Sequence, residues 1–210
     1  MARPREFDTE QVREALKQAF WTHGFDGISY GALTEATGLH KASLYAAFGD
    51  KRALWMEALK AYNELEVDGA VTLLEQGNDE IPVQSSNRPA SGAPLNGAMR
   101  ICYLFDRVIE AVAQHNDRRG CLLCNAAVEQ APKDKDTNDH VSKGLEKMQG
   151  GFLSALRDEP GLSKMPEELL SMRASTLTSI YFGLRVMAKS GVPIEMMEAA
   201  AQGAHDLLTP

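Results

Sequence analysis

Apolar residues recur along most of the chain with the spacing of an α-helix. In the first stretch the apolar positions follow offsets of 0, 3, 4, 7 and 8, at Val12, Ala15, Leu16, Ala19 and Phe20. This spacing places them on one face of a helix, which we expect to begin near Asp8 or Thr9 because either side chain suits an N-cap. No segment shows the alternation of a β-strand. The pattern therefore predicts an all-α protein of about nine helices.

The other helices are predicted from the same periodicity and from the glycines and prolines that interrupt it. Two short helices are separated by Gly38, and a longer one runs from about Lys51 to Leu74. Further helices are expected over about 95–115, 120–131, 136–156, 166–189 and 194–208. Residues 76–94 read as a loop, which is a mobile surface insertion, an irregular segment packed beside a domain, or an interdomain linker.

Composition fits a soluble globular protein. The chain has 210 residues, of which 44% are hydrophobic and 24% charged, and no apolar run approaches the length of a membrane span. No export sequence is visible at the start, so we expect a cytoplasmic protein. The three cysteines, Cys102, Cys121 and Cys124, are too few for a secreted disulfide framework.

The acidic charge is confined to one part of the chain. The formal net charge is −7, yet residues 1–60 hold eight Lys/Arg and eight Asp/Glu, so the whole excess lies in residues 61–210. A neutral first segment removes the objection that this protein would repel DNA phosphates.

The segment around Gly38 has the features of a helix-turn-helix. Two steeply crossing helices need a turn residue that tolerates the left-handed backbone, and Gly38 supplies it. Apolar residues that can lock the two helices together are Leu33, Leu39, Leu44 and Phe48. The side chains left to project from the second helix are Lys41, Ala42, Ser43 and Tyr45. Small residues there allow close approach to the major groove, while Lys41, Tyr45 and Lys51 offer phosphate contacts.

From Gly38 to Lys51 the sequence reads Gly-Leu-His-Lys-Ala-Ser-Leu-Tyr-Ala-Ala-Phe-Gly-Asp-Lys. This stretch resembles the N-terminal signature of the TetR family of transcription regulators, a glycine turn followed by Lys-Gly/Ala-Ser/Thr-Leu-Tyr, then Phe and Lys. The resemblance extends back through Ala19-Phe20, Gly24-Phe25 and Ile28-Ser29 and covers about the first 60 residues.

The resemblance implies a function and a division of the chain. It implies a helix-turn-helix DNA-binding domain over residues 1–52 and a ligand-sensing and dimerisation domain over 53–210, bridged by the helix that reaches about residue 74. The expected protein is a homodimeric repressor that a small apolar or electrophilic ligand, or cysteine modification, releases from operator DNA. It implies that Lys41, Ala42, Ser43 and Tyr45 face DNA and that Lys51 begins the next helix at a phosphate.

Three departures from the family pattern affect the expected interface. Thr34 stands where Ala is usual and is tolerated if its hydroxyl bonds back to the helix backbone. His40 replaces a common Ser or Thr N-cap, which predicts a weaker cap. Ala46 and Ala47 replace bulkier side chains and leave fewer base contacts. The alternative to DNA binding here is an ordinary helical hairpin in which Gly38 and Tyr45 serve packing alone.

In the resembled family the last two long helices of each subunit form a four-helix dimer contact. We expect that contact on two apolar stripes: Leu177, Ile180, Tyr181, Leu184 and Ala188, and Met197, Ala200, Ala201, Ala204 and Leu208. Small residues such as Gly183 would let helices approach closely, and a dimer fits two half-sites roughly 34–36 Å apart. The alternative is that both stripes fill the core of one chain.

Effector chemistry is less specific in the sequence. An apolar pocket could use Met99, Tyr103, Phe105, Met148, Phe152, Tyr181, Phe182 and Met187, although such residues are more often plain core. His115 and His140 lack partners at metal-ligand spacing. We therefore predict neither a metal site nor a cofactor.

The stretch Asn116-Asp117-Arg118-Arg119-Gly120-Cys121-Leu122-Leu123-Cys124 is a candidate thiol site. If Asn116 or Asp117 caps a helix with Cys121 in its first turn, the helix terminus and the two arginines favour thiolate. The motif loosely resembles a Gly-Cys-Leu-Leu motif of one branch of TetR-like regulators. Sensing residues are then Cys121, Cys124 and Cys102, with Tyr103 and Tyr181.

Three other interpretations of this stretch and of the whole chain stay open. Cys121 and Cys124 can be buried structural residues. A thiol oxidoreductase using this pair needs a βαβ context that the chain lacks, so we expect no enzyme. A helical interaction module that has lost DNA binding is the remaining alternative.

Overall fold

The structure, a computed structural model, describes residues 8–76 and 95–209, and these residues form helices and no strand. The α-helices are α1 (Thr9–His23), α2 (Tyr30–Thr37), α3 (Lys41–Phe48), α4 (Lys51–Tyr62), α5 (Asp68–Gln76), α6 (Gly97–His115), α7 (Leu122–Glu129), α8 (Lys135–Arg157), α9 (Glu167–Ser190) and α10 (Ile194–His205). A π-helical turn, Asn63–Val67, joins α4 to α5 without a break. With this stretch counted as one, nine helices are formed by the described residues, which confirms the all-α prediction.

Local side-chain caps explain where several helices begin. The Asp8 carboxylate accepts hydrogen bonds from the backbone N–H groups of Glu10 and Gln11, so α1 starts where the sequence predicted. Asn96 caps α6 in the same way through the N–H of Met99. The predicted loop lies outside the described residues from position 77 to 94. Within the described part of the chain, no helix is both long and apolar enough to cross a membrane.

Contacts divide the described residues into two compact units. The first contains residues 8–65 and 122–142, and the second contains 66–76, 95–121 and 143–209. The functional division predicted between residues 52 and 53 stays a prediction.

Aromatic packing between α1 and α4 forms the core of the first unit. The ring of Phe20 packs edge-on against Trp55 at a centroid distance of 5.3 Å, and Trp21 packs against Tyr62 at 5.0 Å. Such pairs stabilise by roughly 0.5–1.5 kcal/mol beyond the area that they bury. The predicted stripe on α1 is buried except for the half-buried Ala15. Helices α2 and α3 pack against α1 and α4, which form this core.

The core of the second unit contains the apolar faces of α6, α8 and α9. The Phe105 ring lies 6.1 Å from Phe152 and 5.9 Å from Tyr181, measured between centroids. The helix predicted over about 95–115 is confirmed as α6, and its apolar face is buried at Ile101, Leu104, Phe105, Val108 and Val112, with Ile109 half-buried.

The stripes predicted for a dimer contact lie instead inside the second unit. Leu177, Leu184 and Met197 have 0% exposure within the single chain. Also buried are Tyr181, Ala188, Ala201, Ala204 and Leu208. Eight of the ten stripe residues therefore lie in the core of one chain, as the alternative predicted, so their assignment to a dimer contact is wrong, whereas Ile180 and Ala200 are half-buried. Periodicity identifies residues that share a helix face, but it does not identify what covers that face.

Candidate nucleic-acid interface

A helix-turn-helix is formed by α2 and α3. The Ser29 hydroxyl accepts a hydrogen bond from the N–H of Ala32 and begins α2. Gly38 ends α2 in the left-handed region, with φ 67° and ψ 9°. A Cβ there would meet nothing within 4 Å, so backbone conformation rather than space favours glycine. Leu33 and Leu44 are buried and hold the two helices together.

The exposed face of α3 carries the side chains that the sequence assigned to DNA. Exposed are Lys41, Ala42, Ser43 and Tyr45, around the buried Leu44. Thr34 donates its hydroxyl hydrogen to the carbonyl oxygen of Gly31 at 2.7 Å, which is the local bond expected for it. His40 is the N-cap of α3 and makes no side-chain capping bond, which agrees with the weaker cap predicted for it.

Lys51 is the first residue of α4, as predicted from the resemblance. The preceding Asp50 accepts a hydrogen bond from the N–H of Ala53 and caps this helix. The Lys51 ammonium lies 5.0 Å from the centroid of the Phe25 ring. An aromatic face attracts a cation while leaving it partly hydrated, so this contact restricts Lys51 without neutralising it.

Tyr30 belongs to this site, although its sequence pattern did not assign it there. Its ring stacks on Tyr45 at a centroid distance of 5.4 Å and an interplanar angle of 21°. The Lys41 ammonium lies 4.8 Å from the Tyr30 centroid and 5.7 Å from that of Tyr45. The only signal in the sequence is an aromatic residue directly after the N-cap of α2.

A second segment missed by sequence reasoning packs into the same unit. The Glu129 carboxylate, at the end of α7, accepts hydrogen bonds from the N–H groups of Phe25 and Asp26 at 2.9 and 2.7 Å. Gly24, with φ 73°, lets this carboxylate approach, since a Cβ there would lie 3.0 Å from its nearer oxygen. Glu129 therefore ties α7 to the turn between α1 and α2.

Contacts from α4 to α8 and to the residues before it reinforce that connection. Arg52 donates to Asp134 at 2.7 Å and to Asp136 at 2.6 Å, and the hydrogen bond from Arg52 lowers the pKa of Asp134. The indole N–H of Trp55 donates to the fully buried hydroxyl of Thr137 at 3.0 Å. These partners lie more than 80 positions apart in the sequence, so no local pattern could have indicated them.

The predicted cysteine helix begins two residues later than expected, at Leu122, so Cys121 is not in its first turn. Cys121 is the last residue before α7 and is buried, with 2% exposure. Asn116 ends α6 in the left-handed region at φ 49°. Asp117 binds the Arg119 guanidinium, which lowers the pKa of the Asp117 carboxyl. The prediction that Asn116 or Asp117 caps the cysteine helix is therefore wrong.

The other sensing candidates are partly or wholly buried. Burial, and next the charge of Asp106, raise the pKa of Cys102 to about 11, so this thiol carries little thiolate at neutral pH. Cys124 is half-buried in α7. Tyr103 and Tyr181 are buried, and burial raises the pKa of Tyr181. The structure thus brings the DNA candidates to one surface, and among the sensing candidates it places Cys121 near enough to Tyr181 to affect the pKa of that tyrosine.

Comparison with known proteins finds similarity to transcription regulators. The family model of bacterial regulatory proteins of the tetR family matches residues 12–58. The HTH-type transcriptional repressor BdcR of Escherichia coli (strain K12) is 40% identical over 122 residues, which cover 58% of this chain and 52% of that protein. The uncharacterized HTH-type transcriptional regulator YezE of Bacillus subtilis (strain 168) is 26% identical over 156 residues, which cover 74% of this chain and 72% of that protein.

Solved structures extend the similarity over nearly the whole chain. The TetR family transcriptional regulator CifR, as a cysteine mutant complexed with 26bp double-strand operator DNA, is 27% identical with a TM-score of 0.74. The alignment covers 97% of this chain and 98% of CifR. The reduced form of E. coli NemR shares the fold, with 21% identity and a TM-score of 0.72. The alignment covers 93% of this chain and 95% of NemR.

Proposed function

We propose that this chain, which belongs to the TetR family of bacterial DNA-binding regulators, represses transcription by binding double-stranded operator DNA as a homodimer. The observation that carries the proposal is the exposed face of α3, followed directly by a helix that starts at Lys51. BdcR, which is named a repressor, supports the direction of regulation. CifR, which is complexed with operator DNA, supports the partner.

The proposed roles follow from side-chain size and charge. Ala42 and Ser43 are small enough for α3 to approach the base edges of the major groove. Lys41, Tyr45 and Lys51 contact phosphates, which fix the orientation of the protein and carry little sequence information.

Duplex binding at several salt concentrations tests these roles. Lys51→Ala is expected to weaken binding to operator and mixed-sequence duplex alike and to lower the salt slope by about one. Tyr45→Phe is expected to weaken both without a change in slope, because it removes a neutral donor. Lys143→Ala, an exposed lysine of α8, is the control and should bind normally. Normal affinity of both test variants, with folding intact, would remove them from the DNA surface.

The dimer contact is proposed on the exposed face of α9, because homodimers are typical of the family and the opposite face is buried in the core. Positions 172, 176, 179, 183 and 186 follow spacings of 4, 3, 4 and 3 and so share one stripe. Its large apolar members, Met172 and Val186, are 58% and 54% exposed. Between them Ser179 and Gly183 are small, and a Cβ on Gly183 would meet nothing within 4 Å. On α10, Met196 is 57% exposed and extends the apolar surface. Two copies of this stripe can therefore pack closely.

Release from DNA is proposed to begin at Cys121 or at a small apolar or electrophilic effector near it. The support is the path along the chain: Cys121 directly precedes α7, and the last residue of α7, Glu129, binds the turn between α1 and α2. A change in the position of α7 would disturb that turn. Since Cys121 is buried, a reagent reaches it only when the chain opens locally.

Limited alkylation followed by mass spectrometry tests the thiol proposal. Since Cys121 is buried and Cys124 is half-buried, we expect labelling of Cys121 to follow that of Cys124, and we expect Cys121→Ser to abolish any loss of duplex affinity after oxidant. Cys102→Ser is the matched control and should keep the response. A response that survives Cys121→Ser would leave the cysteines with a packing role.

A further inference from the structure

Tyr30 contacts three of the five residues assigned to DNA, although they lie on two different helices. Its ring stacks on Tyr45 and lies under the Lys41 ammonium. Its hydroxyl oxygen accepts a hydrogen bond from the backbone N–H of Lys51 at 2.9 Å. Tyr30 is therefore the point at which α2 connects the surface of α3 to the start of α4.

The hydrogen bond to Lys51 has a specific structural role. The first backbone N–H groups of a helix have no acceptor within the helix. At the start of α4, Asp50 serves the N–H of Ala53, and Tyr30 serves the N–H of Lys51. The first turn of α4, from which the Lys51 side chain extends, is thus fixed by two side chains.

The stacked rings have a second role, which concerns Lys41. An exposed lysine loses rotamer entropy when a phosphate immobilises it. Two aromatic faces within 6 Å already hold the Lys41 ammonium beside Tyr45. Hydrogen bonding with Tyr45 raises the pKa of Tyr30, which keeps the Tyr30 hydroxyl neutral beside the lysines.

We propose that Tyr30 is a positioning residue for DNA binding, whose ring places Lys41 and Tyr45 and whose hydroxyl places the start of α4 at Lys51. This inference rests on the proposed DNA-binding surface. Tyr30 acts by reducing the ordering cost of the groups that touch phosphates, and its own hydroxyl is engaged within the protein.

The test is binding of the full chain to a fluorescein-labelled mixed-sequence duplex, for which no operator is needed. Tyr30→Leu removes ring and hydroxyl and is expected to weaken binding about three- to tenfold, the range of one aromatic pair with a cation–π contact. Tyr30→Phe keeps the ring and should lose less duplex affinity than Tyr30→Leu. Val12→Ala, a buried change in α1, controls for reduced stability and should keep the affinity of the parent protein.

A double-mutant cycle separates positioning from a direct contact. In a Lys41→Ala, Tyr45→Phe background, the effect of Tyr30→Leu should shrink to that of Tyr30→Phe in the parent protein, which is the part that acts through Lys51. A full effect in that background would overturn the proposal, because Tyr30 would then touch DNA itself or act on stability alone.

Hydrogen exchange and the affinities of the single variants at the DNA surface complete the test. Exchange of the Lys51 amide should accelerate in Tyr30→Phe but not in Val12→Ala, and unchanged exchange would refute the role of the hydroxyl. If Lys41→Ala, Tyr45→Phe and Lys51→Ala all bind normally, the DNA surface itself is wrong and the Tyr30 proposal fails with it. If those variants lose affinity and Tyr30→Leu does not, only the Tyr30 proposal fails.

Discussion

Val186 and Leu184 lie two positions apart on α9, yet their substitution should have different effects. A change at Val186 should affect dimer dissociation, and a change at Leu184 should affect unfolding of the single chain. Leu184 is 0% exposed within one chain, whereas Val186 is 54% exposed. If the exposed stripe is the dimer contact, Val186→Glu should dissociate the dimer while each chain stays folded. Leu184→Ala should instead destabilise the chain itself, by about 2–5 kcal/mol.

The magnitude for Val186 follows from its exposed surface. Full burial of a valine side chain stabilises by roughly 1.5–3 kcal/mol, so the exposed half is worth about 1 kcal/mol per protomer and about 2 per symmetric dimer. Burial of an unpaired carboxylate adds a desolvation cost of at least similar size. A total of about 4 kcal/mol raises the dimer dissociation constant about a thousandfold.

Sedimentation velocity over a range of protein concentrations measures this shift. Circular dichroism should show that Val186→Glu keeps its helix content, and operator affinity should fall because each monomer reaches one half-site. Lys189→Glu, a charge reversal on the flank of the same helix, is the control and should stay dimeric. If folded Val186→Glu dimerises at the same concentrations as the parent protein, the stripe does not form the contact and the reasoning from exposure is refuted.

Two further predictions concern the first unit and the thiols. Glu129→Ala leaves the N–H groups of Phe25 and Asp26 without their carboxylate and should lower the free energy of unfolding by about 2 kcal/mol in denaturant titrations, whereas Glu110→Ala on the exposed face of α6 should change it little. Equal stability of the two variants would contradict a structural role for Glu129. Because the pKa of Cys102 is raised to about 11, its neutral thiol dominates at ordinary pH, and its alkylation rate should rise about tenfold per pH unit well beyond pH 9. A plateau in the Cys102 rate below pH 9, measured by mass spectrometry in Cys121→Ser, would contradict the cause assigned to that shift.

The sequence alone determined the features that depend on neighbouring residues. Helix starts at Thr9 and Lys51 follow from caps that act over two or three positions, at Asp8 and Asp50. The turn at Gly38 follows from the one residue type that adopts its backbone conformation at little cost. The exposure of Lys41 and Tyr45 around Leu44 follows from helical periodicity, so the outline of the proposed DNA surface could be predicted.

Tertiary structure decided what covers each helix face and which distant residues meet. Both faces of α9 carry apolar side chains, and only packing placed Leu184 inside the chain and Val186 outside. Asn and Asp favour helix ends of either kind, so the sequence could not show that Asn116 ends α6. The roles of Tyr30 and Glu129 arise from contacts 21 and 104 positions away. A linear pattern contains no information on such pairs, because they form only when separate helices pack against one another.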